Sequence, residues 1–277
     1  MDSSAPEIDP AISEFYQATA EESRLQHGAF QLEGLRTREL IQRHIPDPPA
    51  VVFDVGGAAG AYALWLAAAG YSVHLIDPVE LHVHQAQQRS SGNARPLASC
   101  QLGDARKLAF ANESAEIALL LGPLYHLPLA EERARALAEA ARVLRPGGIL
   151  FAAAISRWAS VLDGMARDLF EDPAFLAIVE QDVKDGQHRN VAGRLDYFTT
   201  AYFHRPEDLR AEVTDSGLEI MGLYGIEGPG WILPDIAERL ADLGRRENLL
   251  RAARFLESEP SMVAASAHML AVARKPR

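Results

Sequence analysis

Cysteine is almost missing from this 277-residue sequence, where Cys100 stands alone. A single thiol builds no disulfide framework and no thiolate metal cluster. Set in an apolar run, Cys100 reads as a core residue rather than a reactive thiol. No apolar run reaches the roughly 18 residues that a membrane-spanning helix needs. The opening residues, MDSSAPEIDPAISEF, lack the basic region and apolar segment of a secretory signal. The expectation is a soluble, cytoplasmic protein without a membrane partner. Positive charge is scarce as well: 27 Lys and Arg against 38 Asp and Glu leave a net charge of −11. That balance repels phosphate backbones and argues against a nucleic-acid substrate. The nine histidines include no H-x-x-x-H pair carrying the glutamate of a zinc protease, and no metal site is expected. His82 and His84, two apart, read as part of a solvated helix face. No internal repeat or low-complexity tract is present.

What the chain does have is apolar content of 48%, ample for a packed core, and one stretch around which the rest is organised. Val51 to Pro78 reads VVFDVGGAAGAYALWLAAAGYSVHLIDP. A β-branched run, Val51-Val52-Phe53, closes on Asp54 and a glycine-rich turn. A helical pattern follows through Tyr62, Leu64, Trp65, Leu66 and Ala69 until Gly70 stops it, and the run Val73 to Ile76 ends on Asp77. Strand, turn, helix, strand is a βαβ unit whose parallel strands are buried on both faces. Glycines let the backbone turn sharply and a ligand approach closely. A helix beginning near Gly60 would aim free N–H groups at that spot. An acid ending the second strand stands where it can accept hydrogen bonds from a ribose. The unit predicts a nucleotide-type cofactor pocket.

The dinucleotide fingerprint G-x-G-x-x-G fits poorly, since Gly56, Ala58 and Ala61 supply one glycine of three. The spacing D-x-G-x-(G/A)-x-G fits better through Asp54, Gly56, Ala58 and Gly60. This resembles the first motif of the class I S-adenosylmethionine (SAM) dependent methyltransferases, with Ala58 in place of the usual glycine. Further likenesses follow in order. Leu97 to Leu102 reads as a third strand followed by Gly103-Asp104-Ala105, similar to the family position that receives the adenine amino group; Asp104 as the cap of a following helix accounts for the same residues. Ala115 to Leu121 reads as a fourth strand leading into Gly122-Pro123-Leu124-Tyr125-His126-Leu127, which resembles the loop that passes the reactive methyl. A helix from Glu131 to Leu144 ends in Leu144-Arg145-Pro146-Gly147-Gly148 and continues into a strand from Ile149 to Ile155, a common signature of the family.

Upstream, Ala11 to about Arg43 carries helical spacing. Its FYQATAEESRL segment resembles the N-terminal helices that cover the cofactor in many small-molecule methyltransferases, where Tyr16 and Arg24 can reach a SAM carboxylate; a surface helix packed on the core explains the spacing equally. Downstream, residues 156–205 are too long for a simple connection. They hold helical stretches (Trp158 to Phe170, Pro173 to Val183) and a cluster of aromatics, Trp158, Tyr197, Phe198, Tyr202 and Phe203 with His204, dense for a chain that is 7% aromatic. A substrate lid and a small satellite core are both open readings. Pro206 to Ser216 reads as a helix, Leu218 to Ile226 as a sixth strand, Pro234 to Leu256 as a helix and Ser261 to Ala273 as the last strand.

The resemblance implies a doubly wound α/β sheet of seven strands, order 3-2-1-4-5-7-6, with the seventh antiparallel and a helical cap. It divides the chain into an N-terminal helical cover (1–49), a SAM-binding core (50–155), a cap insertion (156–205) and a C-terminal part of the core (206–277). The implied activity is transfer of the SAM methyl group to a nucleophilic atom of a small molecule. Gly56, Gly57 and Ala58 would meet the methionine part by backbone, Asp77 the ribose, Pro78 the adenine ring and Asp104 its amino group, with Ala105 and Leu121 completing the cofactor set. His126 is the candidate base, with an ordinary imidazole pKa near 6.5, or else a residue that shapes its loop; Tyr125 would orient the base or the acceptor. No Asn/Asp-Pro-Pro-Tyr motif for nucleobase amines is present, and one cysteine is too few for arsenite. The rival readings are a non-catalytic SAM-binding or regulatory protein and a nicotinamide-dependent oxidoreductase.

Overall fold

The structure is a computed structural model and describes residues 8–277. Strands Val51–Val55 (β1), Ser72–Asp77 (β2), Ser99–Leu102 (β3), Ala115–Leu120 (β4) and Leu144–Ser156 (β5) pair in parallel in the spatial order β3-β2-β1-β4-β5. Two short strands follow, Gln187–His188 (β6) and Ala201–His204 (β7), then Glu219–Gly225 (β8) and His268–Arg274 (β9). β9 runs antiparallel to both β5 and β8. The main sheet therefore reads β3-β2-β1-β4-β5-β9-β8, which is the expected 3-2-1-4-5-7-6 order.

Ten α-helices accompany it among the described residues: Pro10–Ala18 (α1), Phe30–His44 (α2), Ala63–Ala69 (α3), Glu80–Ser91 (α4), Ala130–Val143 (α5), Ala159–Arg167 (α6), Pro173–Asp185 (α7), Pro206–Asp215 (α8), Ile236–Ala241 (α9) and Leu243–Leu256 (α10). The period-two pattern of the strands sorts their side chains to two cores. Ala118 and Leu120 of β4, Leu150 and Ala152 of β5, and Met269 and Ala271 of β9 face α5 and α8. Their neighbours Ile117, Leu119, Ile149, Phe151, Leu270 and Val272 face α2, α3 and α4. Burial on both faces explains why these strands read as continuous apolar runs.

At the end of β5 the sheet forks. Ile155 pairs with His268 of β9 and also with Phe203 of β7. A strand has one neighbour per edge, so β7 lies on the edge that β4 leaves after Leu120, and it continues the line of β4. The β6–β7 hairpin is thus tied by backbone to the sheet, above the loop that follows β4.

Several expected boundaries shift. The helical spacing over Ala11 to Arg43 resolves into α1, a 3₁₀ turn at Glu21–Gln26, and α2; Thr19 is extended and Gly28 has a positive φ of 51°, neither compatible with a continuous helix. The helix expected over Pro234 to Leu256 stops at Ala241, because Asp242 is extended and caps the next helix by accepting the Arg245 N–H at 2.8 Å. The last strand begins at His268, not Ser261, since Val263–Ala265 forms a 3₁₀ turn. No described helix is long and apolar enough to cross a membrane.

Candidate functional site

The glycine-rich turn joins β1 to α3. Gly56 has a φ of 70°, and a Cβ there would stand 2.8 Å from the Pro123 ring on the loop after β4. Ala58 also has a positive φ, 46°, at the position where the motif carries glycine. Asp77, at the end of β2, holds this turn in place. Its Oδ2 accepts the Ala58 N–H at 2.8 Å, while Oδ1 accepts the Val79 N–H at 2.9 Å and faces His82 Nδ1 at 3.1 Å. The Gly56 N–H donates to Ile76 O at 2.7 Å. The expectation of free helix N–H groups near Gly60 is therefore corrected: α3 begins only at Ala63, and the Gly56 and Ala58 amides bond inside the protein. Close approach of the backbone remains; donation by those two amides does not.

A cavity of about 570 Å³ opens at the carboxyl ends of β1, β2 and β4, a size typical of small-molecule sites. Every residue that the sequence offers for the cofactor or the catalysis lines it: Tyr16, Arg24, Gly56, Gly57, Ala58, Asp77, Pro78, Asp104, Ala105, Leu121, Tyr125 and His126. Their local partners differ from expectation in four places. Asp104 caps no helix, for none follows it before α5; its carboxylate instead chelates Arg106, at 2.6 Å to Nη2 and 3.0 Å to Nε. Arg24 is not free to await a carboxylate. Its guanidinium grips Glu33 through Nη1 at 2.6 Å and Nη2 at 3.0 Å, and Glu21 through Nε at 2.9 Å. Tyr125 donates its hydroxyl to Leu121 O at 3.1 Å and so braces its own loop.

His126 differs most. Its Nε2 lies 2.7 Å from the Tyr16 hydroxyl of α1, and Nδ1 faces Thr200 O at 3.4 Å. The carbonyl requires the proton on Nδ1, so Nε2 accepts from Tyr16. Burial lowers the imidazole from its ordinary value to about 4, despite the raising effects of the Thr200 carbonyl and Asp77. The expected pKa near 6.5 is corrected: His126 is a neutral, weakly basic ring whose lone pair is already engaged.

Some groups at the site had no signal in the sequence. Glu33 of α2 and His268 of β9, far apart in the chain, meet at the same end of the cavity as Arg24, with Glu227 accepting from His268 Nδ1 at 2.6 Å. Burial pushes the Glu33 carboxyl up, but Arg24 and His268 pull harder and leave it below its usual value. Asp54 belongs to the first motif, yet its state is legible only in the structure. It is 1% exposed, its Oδ2 has no partner, and burial followed by the nearby Asp77 raises its carboxyl to about 7. His82 is 2% exposed, which corrects the solvated-face reading: α4 turns it inward onto Asp77. Cys100 is half-buried, and burial raises its thiol to about 11, in line with an inert residue.

Within residues 156–205 the aromatics do not line the cavity. Tyr197 packs with Phe175, Ile178 and Val179 in a cluster of its own, Phe203 stacks on His188, and the Arg133 guanidinium lies 3.7 Å over Tyr202. The one residue of this segment on the cavity wall is Arg189, held by the carbonyls of His188 and Ala201 and by Gln187 Oε1.

An open sheet in this order, with its pocket at the strand ends beside a D-x-G turn, is the architecture of the class I SAM-dependent methyltransferases, and the chain has that architecture. Residues 53–152 match the family described as "Methyltransferase domain". A C-methyltransferase of ubiquinone and menaquinone biosynthesis, UbiE of Acidiphilium cryptum, is 29% identical over 155 residues, which is 55% of this chain. That alignment spans 59% of the relative's own length. A SAM-dependent methyltransferase of Methanosarcina mazei superposes with a TM-score of 0.56 at 18% identity, over 86% of this chain and 97% of its own. The [4+2]-cyclase SpnF superposes with a TM-score of 0.57 at 17% identity, over 96% and 92%. Likeness at this level fixes the fold and leaves the reaction to the site.

Proposed function

We propose that the chain transfers the methyl group of SAM to a nucleophilic atom of a small molecule. The observation that carries this reading is the cavity itself: the glycine-rich turn, Asp77, Pro78 and Asp104 line one wall, and the Tyr125–His126 loop lies within the same enclosure. The cofactor fits the donor set. Asp54 Oδ2 is a buried acceptor without a partner on the cavity wall, which suits the ammonium of the methionine end. When bound, SAM supplies an electrophilic methyl on a sulfonium. The protein's contribution is alignment and exclusion of water rather than strong acid–base chemistry. Ile12 and Tyr16 of α1 cover the cavity, and Thr199 donates to Ala11 O at 3.0 Å, tying α1 to residues 156–205. Leu127, Pro128, Leu129, Glu132 and Arg189 provide a mixed apolar and charged wall for the acceptor.

Calorimetric titration with SAM and with NAD tests the reading. Binding of SAM and not of NAD is expected; the reverse would assign the cavity to an oxidoreductase. A second reading, a SAM-binding protein without methyl transfer, draws on the Tyr16 hydroxyl that occupies His126 Nε2. Formation of S-adenosylhomocysteine with an acceptor mixture separates the two.

His126 is proposed to hold the acceptor by a neutral hydrogen bond, taking over the place of the Tyr16 hydroxyl. Because the ring is already deprotonated well below neutrality, the rate of methyl transfer is expected to be flat from pH 6 to 9. An inflection near pH 6.5 that disappears in His126→Gln would restore the general base and sink the neutral-ring account.

A further inference from the structure

Asp77 alone is short of acceptors for a ribose diol. A carboxylate offers about four lone-pair sites, and three are taken by the Ala58 N–H, the Val79 N–H and His82 Nδ1. What remains is one site on Oδ2, while a diol brings two hydroxyls. His82 stands beside it with Nδ1 on Asp77 Oδ1 at 3.1 Å, its ring on the cavity wall and its Nε2 buried without any hydrogen-bond partner. A buried polar atom left unpaired is costly, and where it borders a ligand cavity it marks the place of a ligand group. The Tyr16 ring meets His82 edge-on with centroids 5.1 Å apart, closing that side from water.

We propose that His82 is a second ribose-binding residue, its Nε2 bonding one hydroxyl of the nucleoside diol while Asp77 Oδ2 accepts the other. The assignment rests on the SAM reading of the cavity. Either protonation state of Nε2 serves, because a hydroxyl both donates and accepts. His82 also fixes the rotamer of Asp77 through Nδ1, so one side chain both reads the sugar and positions the acid beside it.

Three ligands test this: S-adenosylhomocysteine and its 2′-deoxy and 3′-deoxy analogues, titrated calorimetrically into wild type, His82→Asn and His82→Gln. Asparagine places its amide near the position of Nδ1 and keeps the Asp77 contact, whereas glutamine reaches toward the position of Nε2. His82→Asn should bind S-adenosylhomocysteine about three- to tenfold more weakly than wild type, the worth of one hydrogen bond. It should bind one of the two deoxy analogues as well as wild type does, and His82→Gln should recover part of the loss. Equal weakening of all three ligands in His82→Asn would reduce His82 to a support for Asp77 and overturn the inference. So would unchanged affinity throughout. A wild type that binds no S-adenosylhomocysteine at all would overturn the cofactor reading, a result distinct from wild-type binding without discrimination between the analogues.

Discussion

Replacing Asp77 with alanine is expected to weaken SAM binding by roughly tenfold to a hundredfold, as a carboxylate hydrogen-bonded to a ligand hydroxyl contributes about 1.5–3 kcal/mol. The structure adds a second loss. The same carboxylate accepts the Ala58 and Val79 amides and faces His82, so alanine leaves three polar groups, two of them buried, without their partner. Ala58 sits at a φ of 46°, an unfavourable conformation for a residue with a Cβ, and it keeps that conformation with Asp77 as a hydrogen-bond partner. The turn should therefore relax as well, and the melting temperature should fall together with affinity. Calorimetry and thermal unfolding of the same variant measure both. Wild-type affinity in a folded Asp77→Ala protein would place the ribose elsewhere.

Asp54→Asn should make the ligand-free protein more stable, and only above about pH 4. An aspartate in an unfolded chain titrates near 3.9, whereas burial and Asp77 hold Asp54 up at about 7. Below about pH 4 the carboxyl is protonated in both states and contributes nothing. As the pH rises toward 7 the unfolded chain gives up its proton while the folded one keeps it, so the wild type loses stability throughout that window. Above 7 the loss levels off, at a size on the order of 4 kcal/mol. Asparagine has no such slope. Denaturant unfolding of both proteins at pH 5 and pH 8 should show the variant's advantage growing with pH; parallel behaviour would mean that Asp54 ionises freely in the folded state.

The core was legible in the sequence because it is written in local patterns. The runs at Val51, Val73, Leu97, Ala115 and Ile149, the first four with Gly- or Asp-bearing exits, spell parallel strands with a pocket at their carboxyl ends, and β1 to β5 lie there. Most of the cavity wall followed from the same exits, since the named residues other than Tyr16 and Arg24 end a strand or stand in the loop that follows. What local pattern does not carry is the partner of a charged side chain. Arg24 reads as a ligand-seeking cation until Glu33 and Glu21 are seen to hold it. His268 has no meaning at the site until β9 folds back beside β5. Burial is equally invisible from spacing: His82 sits among Glu80, His84 and Gln85 on a polar-looking helix, and only the packing of α4 against β2 turns it inward. The aromatic cluster of residues 156–205 left a lid and a satellite core both open for a related reason, since density of rings signals a need for burial without saying where.

The fork at Ile155 has a consequence for how substrate preference can diversify on this scaffold. Phe203 and His204 are in register with Ile155 and Ser156 by main-chain pairing, so the stretch bearing Arg189 is not slung over the pocket on a hinge but is plugged into the sheet like a tile. Sequence change within 156–205 can reshape the cavity wall at Arg189, provided that a strand remains to occupy that slot. Loss of the strand would expose the far end of β5 as an open edge, and with it the main-chain anchor of Arg189. A chimaera made by exchanging this stretch with that of another class I enzyme should accordingly fold when the junction preserves the two-residue pairing, and aggregate when it is cut inside it.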